Sequence, residues 1–345
     1  MSTRPYAYLE RGHYARGWHI VLLSKELAIG DVQRLHYFDQ DLVIYRGSSG
    51  KAAVLNAHCP HLGAHLASDG GRLLGDNIAC PFHGWTFDPN GRCVDIPYAS
   101  KIPDRAISAL KAWPVLEKNG FIAIWHDTQD NPPEDYLPDI ADWGVDGWGD
   151  WTFQRSRIRA QPCDVIENVV DIAHFPHVHG GNVQSFENRF NERSVTQISR
   201  VARDPDARMV TPPGLDFDLE DARNDNAGME ADAWGDATYH GPSIMYYYTE
   251  SISPDISYKS WWVNYHTPIN ADEVDLCSAV IVASMDEQPL PEEFLQAYPV
   301  MAHAAFGQDV EIWKDKIYQA EPILCDGDGP INKLRRWYDQ YYLPL

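Results

Sequence analysis

Short apolar stretches separated by turn residues fill the first third of the chain. Gly, Pro, Asn and Asp cluster between them, as in residues 47–50 and 88–91. The stretches that read as strands are 18–23, 32–38, 42–46, 53–57, 78–80, 86–87 and 121–125. This spacing predicts a small all-β domain over residues 16–130, and the Asp-, Pro-, Gly- and Trp-rich residues 126–150 read as a linker.

The rest of the chain mixes two periodicities. Residues 165–175 have helical spacing up to Pro176, and a longer helical pattern covers residues 291–318. The β-rich runs between them are 244–253, 256–267 and 274–285. The acidic stretch 203–236 has no clear periodicity and is predicted to form a long loop or lid. Strands followed by a helix predict an α+β domain over residues 151–345.

Composition and charge narrow the functional classes. The 345-residue chain is 44% hydrophobic, and its 28 Lys and Arg against 50 Asp and Glu give a net charge of −22. Such a charge repels phosphate backbones and anionic membranes, so we expect no nucleic-acid partner. The N-terminus lacks a secretory signal, and the most apolar stretch, 276–285, is about half a membrane span. We therefore expect a cytoplasmic protein without a membrane span.

Two short Cys–His hooks stand out among the six cysteines. They are Cys59-Pro-His61 and Cys80-Pro-Phe-His83, with 18 residues between them. Two thiolates and two imidazoles can hold a zinc ion, or a two-iron, two-sulfur cluster with both cysteines on one iron. Zinc fingers usually pair Cys with Cys and His with His along the chain. Because each hook here mixes the two residue types, the pattern favours the cluster.

A second group of polar side chains lies in the predicted helix. Asn168, Asp171 and His174 recur every three residues, which places them on one side, and His179 follows Pro176. Two histidines and one carboxylate beside open positions are the ligand set of non-haem iron(II) oxygenases. An isolated histidine pair is more commonly a solvated or satisfied polar face. This segment therefore needs independent support.

The support is a family resemblance. The pattern Cys-x-His…Cys-x-x-His-Gly-Trp resembles the Rieske iron–sulfur motif, and Asp171-x-x-His174-x-x-x-x-His179 resembles the iron-binding segment of Rieske oxygenases. Residues 16–342 as a whole resemble the oxygenase component of a Rieske non-haem iron oxygenase. Within that family the resemblance is strongest to 3-ketosteroid 9α-hydroxylases and cholesterol 7-desaturases. The segments that carry it include 79–85, 91–98, 117–120, 167–171, 239–242 and 336–338.

The resemblance implies a fold and two sets of iron ligands. The fold is an all-β Rieske [2Fe-2S] domain followed by a helix-grip domain, in which a curved antiparallel sheet wraps a long helix. The implied ligands are Cys59, His61, Cys80 and His83 for the cluster, and His174, His179 and Asp309 for mononuclear iron. Glu311 would point from a different face of the helix that carries Asp309. The alternative for Asp309 is a solvated helix charge.

The resemblance also implies an assembly. Rieske oxygenases usually form head-to-tail trimers, in which the cluster of one subunit supplies electrons to the iron of the next. Asp171 would then bridge His174 and His83 of the partner subunit, and Asn168 would support the iron ligands. His177 lies outside the motif spacing and is expected either to support these ligands or to be structural.

The implied activity is NADH-dependent monooxygenation with O2. The chain has no flavin or nicotinamide fingerprint, so electrons must come from a separate ferredoxin, flavin reductase or both. The alternatives are O- or N-demethylation or hydroxylation of a smaller aromatic compound, and an electron carrier without oxygenase activity. The 200 residues beyond the linker, with their own ligand set, argue against a simple carrier.

Aromatic strands favour a bulky apolar substrate. Along residues 243–248, Tyr246 and Tyr248 share one face, and Met245 and Tyr247 share the other. Either face would give a large apolar pocket wall. A small aromatic acid would need a buried basic clamp, whereas Lys259, the one basic residue in these strands, is expected to face solvent. We therefore expect a fused-ring, steroid-like substrate.

Overall fold

The computed structural model describes residues 14–203, 232–252, 256–286 and 288–342. These residues form two compact units. One comprises residues 16–134 and 268–271, and the other contains the described parts of 14–15, 135–267 and 272–342. No helix in these ranges is long and apolar enough to cross a membrane. Most of the predicted loop at 203–236, residues 204–231, lies outside the described residues.

The first unit is built from small antiparallel sheets. Its strands are β1 (Gly17–Leu23), β2 (Val32–Tyr37), β3 (Gln40–Arg46), β4 (Ala52–Asn56), β5 (Arg72–Leu74), β6 (Asn77–Ala79), β7 (Thr86–Phe87), β8 (Cys93–Asp95), β9 (Ala112–Trp113), β10 (Val115–Lys118) and β11 (Phe121–His126). In the described residues they form sheets ordered β1-β11-β10, β2-β3-β4-β9 and β5-β6-β7-β8. Every predicted stretch overlaps one of these strands.

The core of the first unit lies between the second and third of these sheets. Its buried residues include Val43, Leu55, Leu66, Ile78 and Phe87. The predicted turn at 88–91 joins β7 to β8: the Asp88 carboxylate accepts bonds from the backbone N–H groups of Asn90 and Arg92, both 2.9 Å. Gly91 has φ +76°, and a side chain there would meet the carbonyl of Leu110. Glycine is therefore required at the end of this turn.

The second unit has a long sheet and few helices. Its strands are β12 (Thr152–Arg159), β13 (Gly181–Phe190), β14 (Ser194–Arg203), β15 (Asp232–His240), β16 (Ile244–Ile252), β17 (Ser257–Pro268) and β18 (Glu273–Ser284). Its helices are α1 (Pro162–Ile166), α2 (Glu292–Trp313) and α3 (Ile331–Tyr338). The sheet order is β12-β18-β17-β16-β15-β14-β13. Helix α2 packs on β12 and β18. The predicted α+β class is confirmed.

The continuous helix predicted over 165–175 is wrong. Helix α1 ends at Ile166, a 3₁₀ turn covers Glu167–Val169, and a π-helical turn covers Phe175–His179. The Asp171 carboxylate accepts a bond from the N–H of Ala173 at 2.9 Å, a local pairing that competes with helix formation. Pro176 does not end the helix: it lies in the first turn of the π-helical segment, where its missing N–H is tolerated.

A buried ionic cluster ties this segment to the C-terminal part of the chain. Arg335 on α3 donates to the Glu167 carboxylate at 2.6 Å, and Lys316 lies 3.2 Å from Asp164. The side chains of Asp164 and Glu167 are only 2% and 8% exposed. Lys316 follows the end of α2 at Trp313, five residues short of the predicted end at 318. The chain beyond α2 therefore turns back to neutralise buried acids near α1.

We predict that Arg335→Met destabilises the fold by about 3 kcal/mol, because it leaves the Glu167 carboxylate buried without its main partner. Urea unfolding followed by tryptophan fluorescence measures this free energy. The control is Arg189→Met, which removes an exposed pair with Glu187 and should leave the unfolding curve unchanged. Equal curves for both variants would contradict a stabilising role for the buried cluster.

Candidate metal centres and substrate cavity

The two Cys–His hooks have the same backbone geometry. The N–H of Gly63 donates to the carbonyl of Cys59, and the N–H of Gly84 donates to the carbonyl of Cys80, both at 2.9 Å. Both glycines adopt the left-handed conformation, with φ of +77° and +75°. Each hook is thus a tight turn that a residue with a side chain would strain. Two matching turns present a thiol and an imidazole each.

The side chains of the hooks fit a shared metal centre. The rings of His61 and His83 lie 4.8 Å apart at 73°, and the Nδ1 atom of each is buried without a hydrogen-bond partner. Cys59 and Cys80 are buried beneath them in the core. Burial raises the pKa of the Cys59 thiol to about 12, and the Cys80 thiol adds to this effect. Without a cation these ligands are costly to bury, and a Rieske cluster would satisfy all four.

Trp85 and Tyr98 fix the orientation of His61. The indole of Trp85 stacks on the imidazole at 4.8 Å with an interplanar angle of 7°. Its N–H donates to the Tyr98 hydroxyl at 2.8 Å. The sequence contains Trp85 within the Cys-x-x-His-Gly-Trp pattern, but its contact with the other hook depends on the turn geometry. Tyr98 ends the resembling segment 91–98, but its contact with Trp85 was not predicted from the sequence.

The second candidate centre brings together His174, His179 and Asp309. One ligand atom from each lies within 4.8 Å of the other two. His179 comes from the π-helical turn and Asp309 from α2, so the group joins segments 130 residues apart in the chain. Such a set on one side leaves positions open for other ligands, as non-haem iron(II) requires.

Gln308 was not predicted from the sequence, and it orients His179. The Gln308 side-chain oxygen lies 2.9 Å from His179 Nδ1, which leaves Nε2, 3.3 Å from the Asp309 carboxylate, facing the centre. Burial lowers the pKa of His179, but Asp309 and Gln308 outweigh this effect and hold the pKa above its ordinary value. A neighbour that fixes the second ring nitrogen is a common support for a metal-bound histidine.

Asn168 and Asp171 both lie beside His174. The Asn168 amide nitrogen is 3.4 Å from His174 Nε2. The Asp171 carboxylate is 3.7 Å from His174 Nδ1, too long for a hydrogen bond, and its side chain is 36% exposed. Burial raises the pKa of Asp171, but His174 outweighs burial and lowers it, which favours the carboxylate. The nearby His177 is exposed and does not join the group.

A cavity of about 440 Å³ opens beside the three convergent side chains. Met245 and Tyr247 line the cavity, so their face of β16, and not the face of Tyr246 and Tyr248, points into it. Tyr248 lies on the other face, 4.9 Å from the ring of Trp261. Gly235 on β15 leaves room for the Tyr247 ring, since a side chain there would approach it to 2.5 Å.

The described lining of the cavity contains no Lys or Arg. Lys259 points away from it and lies over the Trp148 ring at 5.1 Å. The cavity is therefore suited to an uncharged, largely apolar ligand.

Comparisons with known proteins bear on both halves of the chain. The Rieske [2Fe-2S] domain family matches residues 17–114, and the 3-ketosteroid 9α-hydroxylase C-terminal domain family matches residues 124–342. The chain belongs to the Rieske oxygenases of the 3-ketosteroid 9α-hydroxylase type. A probable 3-ketosteroid-9-alpha-monooxygenase oxygenase component from Rhodococcus rhodochrous is 36% identical over 96% of this chain and 81% of its own length.

More distant proteins share the same organisation. A cholesterol 7-desaturase from Hemicentrotus pulcherrimus is 29% identical over 95% of this chain and 70% of its own length. The crystal structure of dicamba monooxygenase bound to dicamba has a TM-score of 0.71 and 19% identity, and covers 96% of this chain and 98% of its own. The predicted family and fold are confirmed. The cofactors of this Rieske oxygenase are accordingly a [2Fe-2S] cluster and non-haem iron, with O2 as co-substrate and a separate reductase.

We predict that Cys80→Ala abolishes the visible absorption of the purified Rieske oxygenase and the low-average-g EPR signal of its reduced form. The substitution removes one of the four hook ligands, and the remaining three cannot hold the cluster. Cys277→Ala, at a buried cysteine in the second unit, is the control and should keep both spectra. Retention of both spectra in Cys80→Ala would refute the assignment of the hooks.

We predict that Asp309→Asn lowers the iron content from about three to about two atoms per chain, because a neutral amide is a weaker ligand than a carboxylate. The cluster spectrum should not change. Glu311→Gln is the matched control, since Glu311 pairs with Lys314 at the surface. Loss of the third iron in Glu311→Gln but not in Asp309→Asn would show that the other carboxylate is the ligand.

Proposed function

We propose that this Rieske oxygenase hydroxylates a bulky, apolar, steroid-like compound. The observation that carries the proposal is the cavity: it is about 440 Å³, has aromatic and aliphatic walls without a basic residue in its described lining, and adjoins His174, His179 and Asp309. Volumes in this range suit a drug-sized ligand that is buried almost completely. The 3-ketosteroid monooxygenase names of the relatives support a steroid-type substrate.

The geometry supports a role for each site residue. We assign Cys59, His61, Cys80 and His83 to the cluster and His174, His179 and Asp309 to the mononuclear iron. When bound, the cluster would pass on electrons derived from NADH, and the mononuclear iron would supply the O2 chemistry. The chain itself orients His179 through Gln308, contacts His174 through Asn168, and excludes water from the substrate with the aromatic walls of the cavity. We further propose residues 16–130 as the cluster domain, residues 151–345 as the catalytic domain, and a cytoplasmic location.

We also propose a homotrimer in which Asp171 links His174 to His83 of the partner subunit. Two observations support it. Large apolar side chains in and near the hooks are exposed, with Leu62, Phe82 and Tyr98 each more than 60% exposed. Such a patch favours docking on another protein surface. The Asp171 carboxylate is partly exposed, and its distance of 3.7 Å from His174 Nδ1 is too long for a hydrogen bond. It can therefore accept a bond from outside its own chain.

The substrate proposal is tested by NADH-coupled oxygen consumption and product mass. The purified protein is supplied with a ferredoxin or flavin reductase that reduces it, and with panels of 3-ketosteroids and methoxybenzoates. The expected result is a steroid product heavier by one oxygen. Turnover of methoxylated aromatics alone, with release of formaldehyde, would replace the proposal with O-demethylation.

We predict that Asp171→Asn slows electron transfer to the mononuclear iron by about 100-fold, because the amide alters the hydrogen bonds between the two imidazoles. Iron content and the cluster spectrum should match those of the unsubstituted protein. Single-turnover oxidation of the reduced cluster, followed by its absorbance, measures the rate. His177→Gln, at the exposed histidine on the same segment, is the control. A normal rate in Asp171→Asn would refute the bridging role.

A further inference from the structure

One polar side chain in the substrate cavity has no role in the function proposed above. Asn264 on β17 lines the cavity and is only 5% exposed. Its Oδ1 atom is buried and has no hydrogen-bond partner among the described residues. A buried carboxamide oxygen without a partner is costly, and proteins rarely keep one without a reason.

The polar groups at the other end of the cavity are different, because they satisfy one another. Ser260 is the centre of this network: Tyr298 donates to its hydroxyl at 2.6 Å, and Trp262 donates to it at 2.9 Å. The Thr249 hydroxyl lies 2.7 Å from the same oxygen. This network needs no ligand, whereas Asn264 does.

Asn264 lies at the end of the cavity that holds the candidate iron ligands. On α2, Tyr298 contacts Ser260, and Asp309 lies about 16 Å further along the helix. On β17, Asn264 is about 13 Å from Ser260 along the strand. The strand register places Met245 between Asn264 and Tyr239. Met245 and Tyr239 pack in one cluster with Val169, next to the Asn168 that contacts His174. Ser260 and Tyr298 thus mark one end of the cavity, and Asn264 and Asp309 the other.

We propose that Asn264 is a substrate-positioning residue that binds an oxygen substituent of the substrate, a ring ketone or hydroxyl. The carboxamide can donate from nitrogen to a ketone or accept at oxygen from a hydroxyl. Along the cavity wall, Tyr247 and Trp262 pair across β16 and β17 between the two polar ends. A fused apolar ring system fits this middle region, and its oxygen substituent at the iron end reaches Asn264.

This inference rests on the steroid-like substrate proposed above and fixes the orientation in which that substrate binds. A hydrogen bond at one end of a rigid ring system, with apolar contacts along its length, determines which carbon faces the iron. Asn264 therefore sets position and specificity without taking part in the reaction itself.

The test is equilibrium binding to the purified full-length protein, without reductase or NADH. Quenching of tryptophan fluorescence reports the dissociation constant, since Trp262 and Trp313 line the cavity. The probes are androst-4-ene-3,17-dione and its two singly oxygenated counterparts, androst-4-en-3-one and 5α-androstan-17-one. The variant is Asn264→Leu. The matched control is Asn182→Leu, the same substitution at an exposed asparagine on β13 that does not line the cavity.

Asn264→Leu should weaken binding of the diketone, and of the mono-ketone that keeps the bonded oxygen, by about tenfold. The other mono-ketone should change by less than about twofold, as should all three probes in Asn182→Leu. The thermal unfolding midpoint of ligand-free Asn264→Leu should be unchanged or higher, because the substitution removes an unsatisfied buried polar group. A merely structural asparagine would instead lower the midpoint and weaken all three probes equally.

Other results separate the two proposals. If the unsubstituted protein binds the steroids and Asn264→Leu binds them equally well, the role of Asn264 is refuted and the substrate class stands. If the unsubstituted protein binds none of the three, the steroid proposal fails and this inference fails with it. Should Asn264→Leu not fold, Asn264→Ala takes its place with the same expected pattern across the probes.

Discussion

Candidate metal ligands that are buried without protein partners are the constraint on which this structure depends. The imidazoles of His61 and His83 each bury a ring nitrogen that no described residue satisfies, and the thiols of Cys59 and Cys80 in the same hooks are also buried. Such groups cost free energy unless a cation completes them. The turns, the stacking of Trp85 on His61 and the core beneath the hooks serve to hold these side chains in place before the cluster is bound.

The second unit meets the same constraint in a different way. Here the candidate ligands come from an irregular segment and a long helix, so their spacing depends on how firmly that segment is held. The Glu167–Arg335 pair and the Asp164–Lys316 pair fasten it to the C-terminal part of the chain. Gly329 allows the backbone to approach the carbonyl of Val170, where any side chain would clash. Buried charge and close backbone packing thus replace the regular hydrogen bonds of a helix.

The polar groups of the cavity are of two kinds: some are hydrogen-bonded to one another, and others are not. Hydroxyls around Ser260 form a closed network, the aromatic middle has no charge, and Asn264 remains available near the iron ligands. This arrangement selects an uncharged ligand with a polar end, and it needs no basic clamp. The contrast between satisfied and unsatisfied groups carries information about the ligand that the volume of the cavity alone does not.

The amino-acid sequence by itself determined the chemistry of this protein: the donor types and their short spacing within each hook, the Asp171-x-x-His174-x-x-x-x-His179 segment, and the strands of the first unit. These are local properties, and local spacing fixes them. Tertiary structure alone decided that Gln308 orients His179, that Met245 and Tyr247 rather than Tyr246 and Tyr248 face the cavity, and that the helix over 165–175 is interrupted. The first two depend on contacts between segments far apart in the chain. The interruption of the helix combines the local bond between Ala173 and Asp171 with the close approach of the distant Gly329 to Val170. Strand alternation predicts two faces but not which of them is covered. Helical periodicity does not reveal that the Asp171 carboxylate binds a backbone N–H group, or that a distant glycine packs against the segment.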